Sequence, residues 1–317
     1  MQTRKLGYTD LHLSVVGLGA WAMGGAGYKF SWGQQDDNDS IATIHRAIEL
    51  DVNWVDTAAI YGLGHSEEVL GKALKQLGAR RRPLIATKCG RRWDDAGVPF
   101  GKLKADSVRE EIDNSLRRLG IDVIDLYQMH WPQPDEDIEE AWGVMADAVK
   151  AGKLRYIGVC NYNVAQLKRV QAIHPVASLQ PPYSMLVRGV EDELLGFCAA
   201  NNIGVVSYSP MQKGILTDKF TREWVATLSK DDHRSQLDTR FQEPELSKNL
   251  ALVDGLRPIA KAAGLTVAQL AIAWILRRPE VTSAIVGSRR PTQIEETVAA
   301  GDVSLTPDQI AAVNALL

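Results

Sequence analysis

The sequence predicts a (β/α)8 barrel, and three observations support that fold class. Short apolar runs alternate with amphipathic helical patterns about eight times along the 317 residues, which favours parallel strands joined by helical crossovers. That number of repeats fits a closed barrel better than an open sheet. No Pro-, Ser- or Gly-rich linker divides the chain, so we predict one domain over residues 1–317.

The apolar runs of this alternation are the predicted strands, and an N-terminal hairpin over residues 4–13 precedes the barrel. The runs cover residues 11–19, 53–56, 84–87, 124–127, 155–159, 177–180, 203–207 and 283–286. Each run has the length and apolar character of a strand that is buried on both faces.

Apolar residues at helical spacing lie between the runs, and several helix ends carry recognisable signals. We expect helices over residues 40–50, over residues 66–77, and from Ser107 to Gly120. Ser107 and Glu110 read as a capping box at the start of the third helix. Thr306 and Gln309 form a similar signature for a terminal helix, with Pro307 at its first position.

Three long connections follow predicted strands, over residues 22–39, 90–105 and 211–245. Connections of this length in a compact domain are usually functional or mobile. Because all three follow strand ends, we expect them to form the walls or the lid of a pocket.

Composition excludes several classes of protein. A net charge of -3 argues against a general nucleic-acid surface, and no run is long and apolar enough to cross a membrane. The N-terminus lacks the apolar core of a secretion signal. Cys89, Cys160 and Cys198 are too irregularly spaced to predict disulfides, and the histidines form no local metal motif. We therefore expect a reduced, cytoplasmic protein without a metal; nothing in the sequence decides self-association.

Four polar side chains stand at or near the ends of consecutive predicted strands: Asp56, Tyr61, Lys88 and His130. Strand ends meet at one face of a parallel barrel, where such enzymes carry their active sites. Singly, each except Lys88 would more often be structural, but together they predict a proton-donating site suited to carbonyl reduction. Tyr61 would donate the proton if Lys88 lowers its pKa, Asp56 would keep Lys88 charged, and His130 would hydrogen-bond the substrate oxygen.

The chain resembles an aldo-keto reductase over essentially its full length, because several motifs occur in that family's order. The matching segments are Val16–Trp21, Asp56–Gly62, Ser66–Gly71, Leu116–Gly120, Ile124–His130, Gly158–Asn161, Gln180, Tyr208–Met211 and Gly287–Arg289. The resemblance implies that Asp56, Tyr61, Lys88 and His130 form a catalytic tetrad. It also implies a nicotinamide dinucleotide lying across the barrel mouth without a Rossmann fold, and a small carbonyl compound as substrate.

The resemblance further implies which residues bind the cofactor. Asn161 and Gln180 would hold the carboxamide, and Tyr208 would stack on the nicotinamide. Ser209, Met211, Gly214 and Leu216 would lie along the pyrophosphate, Ser288 and Arg289 at the 2′-phosphate, and Gln293 and Glu296 at the adenosine. The remaining cofactor-binding candidates are Trp21, Asp56, Cys160 and Gly287. Two positions depart from the family pattern, with Cys160 in place of a common Ser and Thr297 in place of a frequent Asn.

The arginine pair at residues 289 and 290 favours NADP(H), with NAD(H) as the weaker alternative, because guanidinium groups suit phosphate. Aromatic residues on the predicted loops indicate an apolar or ring-bearing substrate, with Trp131, Trp32 and Trp93 as the expected contacts.

Two other interpretations compete with this one. Gly17, Gly19 and Ala22 fit a loose dinucleotide-binding spelling, but the glycine-rich residues after Ala22 are poor helix formers, which argues against a Rossmann fold. The same barrel also serves as a cofactor-binding regulatory subunit with little turnover, so the fold alone does not prove activity. The complete set of four polar residues favours an enzyme.

Overall fold

Eight parallel strands close into a barrel in the computed structural model, which describes residues 1–78, 81–230 and 232–317. The strands of the molecule are β1 (Thr3–Lys5), β2 (His12–Ser14), β3 (Val16–Gly19), β4 (Trp54–Asp56), β5 (Leu84–Cys89), β6 (Arg91–Trp93), β7 (Pro99–Gly101), β8 (Ile124–Met129), β9 (Leu154–Cys160), β10 (Ser178–Gln180), β11 (Gly204–Tyr208) and β12 (Val281–Gly287). Around the barrel the order is β3, β4, β5, β8, β9, β10, β11 and β12, and β12 pairs with β3. The predicted fold class is confirmed.

Helices follow the barrel strands and cover the outside of the barrel. They are α1 (Asp37–Glu49), α2 (His65–Leu77), α3 (Ala105–Leu119), α4 (Ile138–Lys150), α5 (Val164–Gln171), α6 (Leu194–Ala200), α7 (Arg222–Ala226), α8 (His233–Leu237), α9 (Glu245–Ala262), α10 (Val267–Leu276), α11 (Pro291–Val298) and α12 (Pro307–Asn314). The capping box at Thr306 and Gln309 is confirmed at the start of α12. No single helix in the described part of the chain is long and apolar enough to cross a membrane; α9 and α10 meet that test only together, across an 84° bend.

The predicted start of α3 is wrong by two residues. Ser107 lies inside the helix, and Lys104 is the residue that precedes it. The backbone N–H of Ala105 donates to the carboxylate of Glu140 at 2.7 Å, so a side chain from α4 does the work expected of a cap. This contact joins residues far apart in sequence, so a local pattern could not predict it.

The N-terminal hairpin is confirmed, with β1 and β2 paired from Thr3 with Ser14 to Lys5 with His12. Its connection buries Leu6 and Leu11 against residues near the starts of the barrel strands, among them Trp54. The hairpin therefore closes the end of the barrel at which the strands begin. Polar side chains lie at the opposite end of the barrel, where the strands finish.

The three long connections contain structure of their own. Residues 22–39 begin within a short 3-10 turn (Trp21–Gly24), and residues 90–105 hold the antiparallel pair of β6 and β7. Residues 211–245 contain α7 and α8; Asp231, in the same connection, lies outside the described residues.

Gly17 provides a test of how closely the barrel interior is packed. A Cβ atom at Gly17 would overlap the indole ring of Trp54, which is buried and donates to the backbone oxygen of Ser14 at 3.2 Å. We expect Gly17→Ala to lower the free energy of unfolding by about 1–3 kcal/mol, measured by urea denaturation. Gly143→Ala is the control, because nothing lies within 4 Å of the position of its Cβ in α4. An equal change in both variants would contradict this interpretation.

Candidate active site

The four polar residues expected to converge do lie together at the end of the barrel where the strands finish. Lys88 Nζ donates to Asp56 Oδ1 at 2.5 Å and to the backbone oxygen of Thr57 at 2.8 Å, and it lies 3.4 Å from Tyr61 Oη. The rings of Tyr61 and His130 meet edge to face, with centroids 5.7 Å apart. Neighbouring strands supply these side chains, since β4 pairs with β5 and β5 with β8.

Lys88 and Asp56 form a buried ion pair, with 1% and 3% of their surfaces exposed. Burial acts to lower the pKa of Lys88, but the Asp56 carboxylate outweighs it and holds that pKa above its ordinary value. The second oxygen of Asp56 accepts from Gln180 Nε2 at 2.9 Å and from Gln128 Nε2 at 3.4 Å. Both oxygens of the carboxylate therefore accept hydrogen bonds from the protein, and Lys88 carries a full positive charge.

The pKa of Tyr61 shifts in the direction opposite to the expectation. Burial raises it above the ordinary value for a phenol, and the nearby charge of Lys88 only partly opposes that effect. The expectation of a lowered pKa is therefore wrong for the molecule as described, because burial outweighs the single favourable charge. The phenol consequently stays protonated at neutral pH and can donate a proton.

His130 is a neutral imidazole in this setting. Burial lowers its pKa well below the usual range, and the positive charges of Lys88 and Arg91 add to that effect. Its backbone is fixed by two hydrogen bonds, since its N–H donates to Cys89 and its oxygen accepts from Asn161 Nδ2 at 3.0 Å. A neutral imidazole can donate one hydrogen bond without adding a charge to the site.

Three further predicted residues lie at the ends of neighbouring strands. Asn161 follows β9, Gln180 ends β10 and Tyr208 ends β11. The Tyr208 hydroxyl donates to Asn161 Oδ1 at 2.9 Å. The amide groups of Asn161 and Gln180 are thus held in fixed orientations beside the ion pair.

A cavity of about 1530 Å³ opens above these residues. All three long connections contribute to it, so the prediction that they form pocket walls is confirmed. The predicted residues that line it are Trp21, Trp32, Asp56, Tyr61, His130, Trp131, Asn161, Gln180, Tyr208, Ser209, Met211, Gly214, Gly287, Arg289, Gln293 and Glu296.

Five predicted residues lie outside the cavity lining. Lys88 is buried beside Tyr61, while Cys160, Leu216 and Ser288 are buried with at most 1% of their surfaces exposed. Trp93 lies in β6. The hydroxyl of Ser288 is buried without a hydrogen-bond partner among the described residues.

Arg289 joins the start of α11 to the connection after β3. Its guanidinium donates to Gln35 Oε1 at 2.7 Å and to the backbone oxygens of Trp32 and Gln34. Arg290 lies next to it and also lines the cavity. Two guanidinium groups therefore lie at this end of the cavity, and the carboxylates of Asp36, Asp39 and Glu296 lie in the same lining.

The cavity also contains a cluster that the sequence did not predict, formed by residues of the long connection after β11. The His233 ring stacks on Trp21, with centroids 5.0 Å apart. The guanidinium of Arg234 lies 4.6 Å from the ring centroid of Trp32 and forms a buried ion pair with Asp232. The run of charged and imidazole side chains at 232–234, inside a long loop, was the available signal.

Comparison with known proteins assigns the family. Residues 15–317 match the model of the Aldo/keto reductase family. The chain belongs to that family. It is 38% identical to the aldo-keto reductase YhdN of Bacillus subtilis, over 93% of this chain and 87% of that one. It is 35% identical to an NADH-specific methylglyoxal reductase of Escherichia coli, over 96% of this chain and 95% of the relative.

A solved structure shares the fold closely. The glycerol dehydrogenase AKR11B4 from Gluconobacter oxydans superposes with a TM-score of 0.89 and 35% identity, covering 99% of this chain and 94% of that chain. The family membership and these reductase relatives identify the chain as an oxidoreductase, in agreement with the enzyme interpretation of the sequence.

Arg234 provides a test of what holds the connection after β11 in place. We expect Arg234→Ala to speed hydrogen exchange of the His233 amide, which donates to Ser31, by about tenfold, because the ion pair and the aromatic contacts are lost. Arg222→Ala is the control, since Arg222 lies in the same connection and its ion pair with Glu243 and hydrogen bond to Ser247 Oγ are both exposed. Similar acceleration in both variants, measured by mass spectrometry or NMR, would contradict this role for Arg234.

Proposed function

We propose that this oxidoreductase reduces an aldehyde or ketone to an alcohol, reversibly, with a nicotinamide dinucleotide as hydride donor. The observation that carries the proposal is a distance: the Tyr61 hydroxyl lies 3.4 Å from the buried Lys88 ammonium, and the Tyr61 ring meets the His130 imidazole edge to face in the cavity lining. Relatives described as a methylglyoxal reductase and a glycerol dehydrogenase support the same chemistry.

The residues of the cavity fit a nicotinamide dinucleotide. Amides of Asn161 and Gln180 beside the ion pair match a carboxamide, and the Tyr208 ring at the adjacent strand end offers a stacking surface. Ser209, Met211, Gly214 and Leu216 would lie along the pyrophosphate, with Leu216 buried behind the cavity wall. Cys160, also buried, directly precedes Asn161 and would support it. The buried hydroxyl of Ser288, which has no hydrogen-bond partner within the described part of the chain, directly precedes Arg289 at the end assigned to the phosphate. When bound, the dinucleotide supplies the hydride.

The cofactor we propose is NADP(H), with NAD(H) as the alternative. Arg289 and Arg290 place two guanidinium groups at the start of α11, where a 2′-phosphate would lie beside Gln293 and Glu296. The guanidinium of Arg289 already donates to Gln35 and to backbone oxygens, so the guanidinium of Arg290 is the freer of the two to bind a phosphate. The alternative has support from the relative that is described as NADH-specific.

The tetrad accounts for the proton in the reaction. Charge develops on the carbonyl oxygen as the carbon is reduced, and Tyr61 donates its proton there. Lys88 stabilises the phenolate that remains, and Asp56 keeps Lys88 charged. The neutral His130 would donate a hydrogen bond to the same oxygen. Trp131, Trp32 and Trp21 would bound the substrate from the cavity walls, with Trp93 further out.

Tyr61→Phe tests the proposal directly. We expect the variant to lose at least about 100-fold in kcat for an activated aromatic aldehyde while its Kd for NADPH stays nearly unchanged, because only the proton donor is removed. Consumption of NADPH is followed by absorbance and its binding by fluorescence. Tyr127→Phe is the control, since Tyr127 is a buried phenol outside the cavity. Full activity in Tyr61→Phe would remove the assigned acid.

The same assay separates cofactor preference from reaction class. Wild-type kcat/KM with NADPH is expected to exceed that with NADH. The reverse order would remove the NADP(H) assignment and leave carbonyl reduction standing. Cofactor binding without turnover of any aldehyde would instead favour the regulatory-subunit alternative.

A further inference from the structure

One cationic side chain in the cavity has no place in the proposed mechanism. Arg91 begins β6, two residues after the end of β5, and its side chain lines the cavity. The pairing of β5 with β8 aligns Cys89 with Met129, which brings Arg91 alongside His130 and Trp131. Its charge is close enough to lower the pKa of His130. The guanidinium therefore lies on the side of the cavity that holds the proton-donating site.

Three of the other six lysine and arginine side chains in the described lining form ion pairs with carboxylates. Lys213 and Arg240 pair with Asp238, at 3.0 and 2.7 Å, and Arg234 pairs with Asp232. Of the remainder, Lys219 is exposed, and the adjacent arginines at 289 and 290 lie at the end proposed for the cofactor phosphate.

Arg91 stands apart from these residues because it is half-buried and has no carboxylate partner among the described residues. Its only side-chain hydrogen bond there is a long one, 3.4 Å, to Gln133 Oε1. Burial lowers the pKa of Arg91, whereas an ion pair with Glu110 raises that of its neighbour Arg92. A half-buried guanidinium with most of its donors unused is a ready partner for an anion.

The position of Arg91 in the barrel argues that this anion belongs to the substrate rather than the cofactor. Around the closed barrel of eight strands, β5 and β8 each lie three or four strands away from β11 and β12. The residues proposed to hold the pyrophosphate and the 2′-phosphate follow β11 and β12. Arg91 follows β5, so it lies across the mouth from them and beside His130.

We propose that Arg91 binds an anionic group, a carboxylate or a phosphate, carried by the substrate at a distance from its carbonyl. The substrates would thus be acidic carbonyl compounds, with the aromatic ring of Trp131 flanking the chain between the two groups. This inference rests on the proposed carbonyl reduction and narrows its substrate class.

The test compares charged and neutral aldehydes of matched reactivity, 4-carboxybenzaldehyde and 4-carbamoylbenzaldehyde, in four proteins. Wild type is expected to favour the carboxylate in kcat/KM, and Arg91→Gln to lose about tenfold or more for it while changing less than about twofold for the amide. Arg91→Lys should restore part of the preference. Arg92→Gln is the matched control, because Arg92 pairs with Glu110 at 3.0 Å outside the cavity lining.

A second arm distinguishes the two anions. Glyceraldehyde 3-phosphate is compared with glyceraldehyde in the same four proteins. The larger selective loss in Arg91→Gln identifies whether carboxylate or phosphate is the preferred group. Equal kcat/KM for charged and neutral aldehydes in wild type, in both arms, would overturn the inference while leaving carbonyl reduction intact. So would equal losses for both members of each pair in Arg91→Gln.

A binding measurement keeps the two proposals separable. If wild type reduced no aldehyde, the proposed function would fail, and tryptophan fluorescence would still report the Kd of 4-carboxybenzaldehyde. A Kd raised about tenfold in Arg91→Gln but not in Arg92→Gln would support an anion site at Arg91. Unchanged constants in both variants would refute it.

Discussion

The buried ion pair between Lys88 and Asp56 is the interaction on which the site depends. Neither charge is stable in the interior alone, and each is retained because the other lies 2.5 Å away. Gln180 and Gln128 satisfy the remaining oxygen of Asp56, so three strands besides β4 contribute to one carboxylate environment. The position of Lys88 next to Tyr61 follows from this network. In the proposed reaction, that position would let Lys88 stabilise the phenolate left when Tyr61 donates its proton.

The two ends of the barrel differ: one end is packed with apolar side chains, and the other holds the candidate active site. The N-terminal hairpin seals the end where strands begin, with apolar residues such as Leu6 and Leu11. The opposite end carries the polar residues, and the three long connections form the walls of the cavity around them. Cationic side chains line two sides of the mouth: Arg289 and Arg290 on one side, and Arg91 on the other. Under the two proposals, the cofactor phosphates would lie on the side of Arg289 and Arg290 and an acidic group of the substrate on the side of Arg91, with the reacting centre between them.

Much of this arrangement was predictable from sequence because it depends on local patterns. The apolar runs gave all eight barrel strands, although residues 11–19 divide between the hairpin and β3. Polar residues at strand ends marked the tetrad, which the structure brings together. The misses have long-range causes. Glu140 caps α3 from another helix, Gln128 is hidden inside an apolar strand, and burial reverses the expected pKa shift of Tyr61.

A double-mutant cycle on Lys88 and Asp56 tests the central claim most directly. The free energy of unfolding is measured for Lys88→Met, Asp56→Asn, the double variant and wild type, with the exposed pair of Lys150 and Asp147 as reference. The buried pair is expected to show coupling above about 1 kcal/mol, so the double variant loses less than the summed single losses, because each single change strands one buried charge. Additivity within about 0.5 kcal/mol, as expected for the exposed pair, would contradict the account.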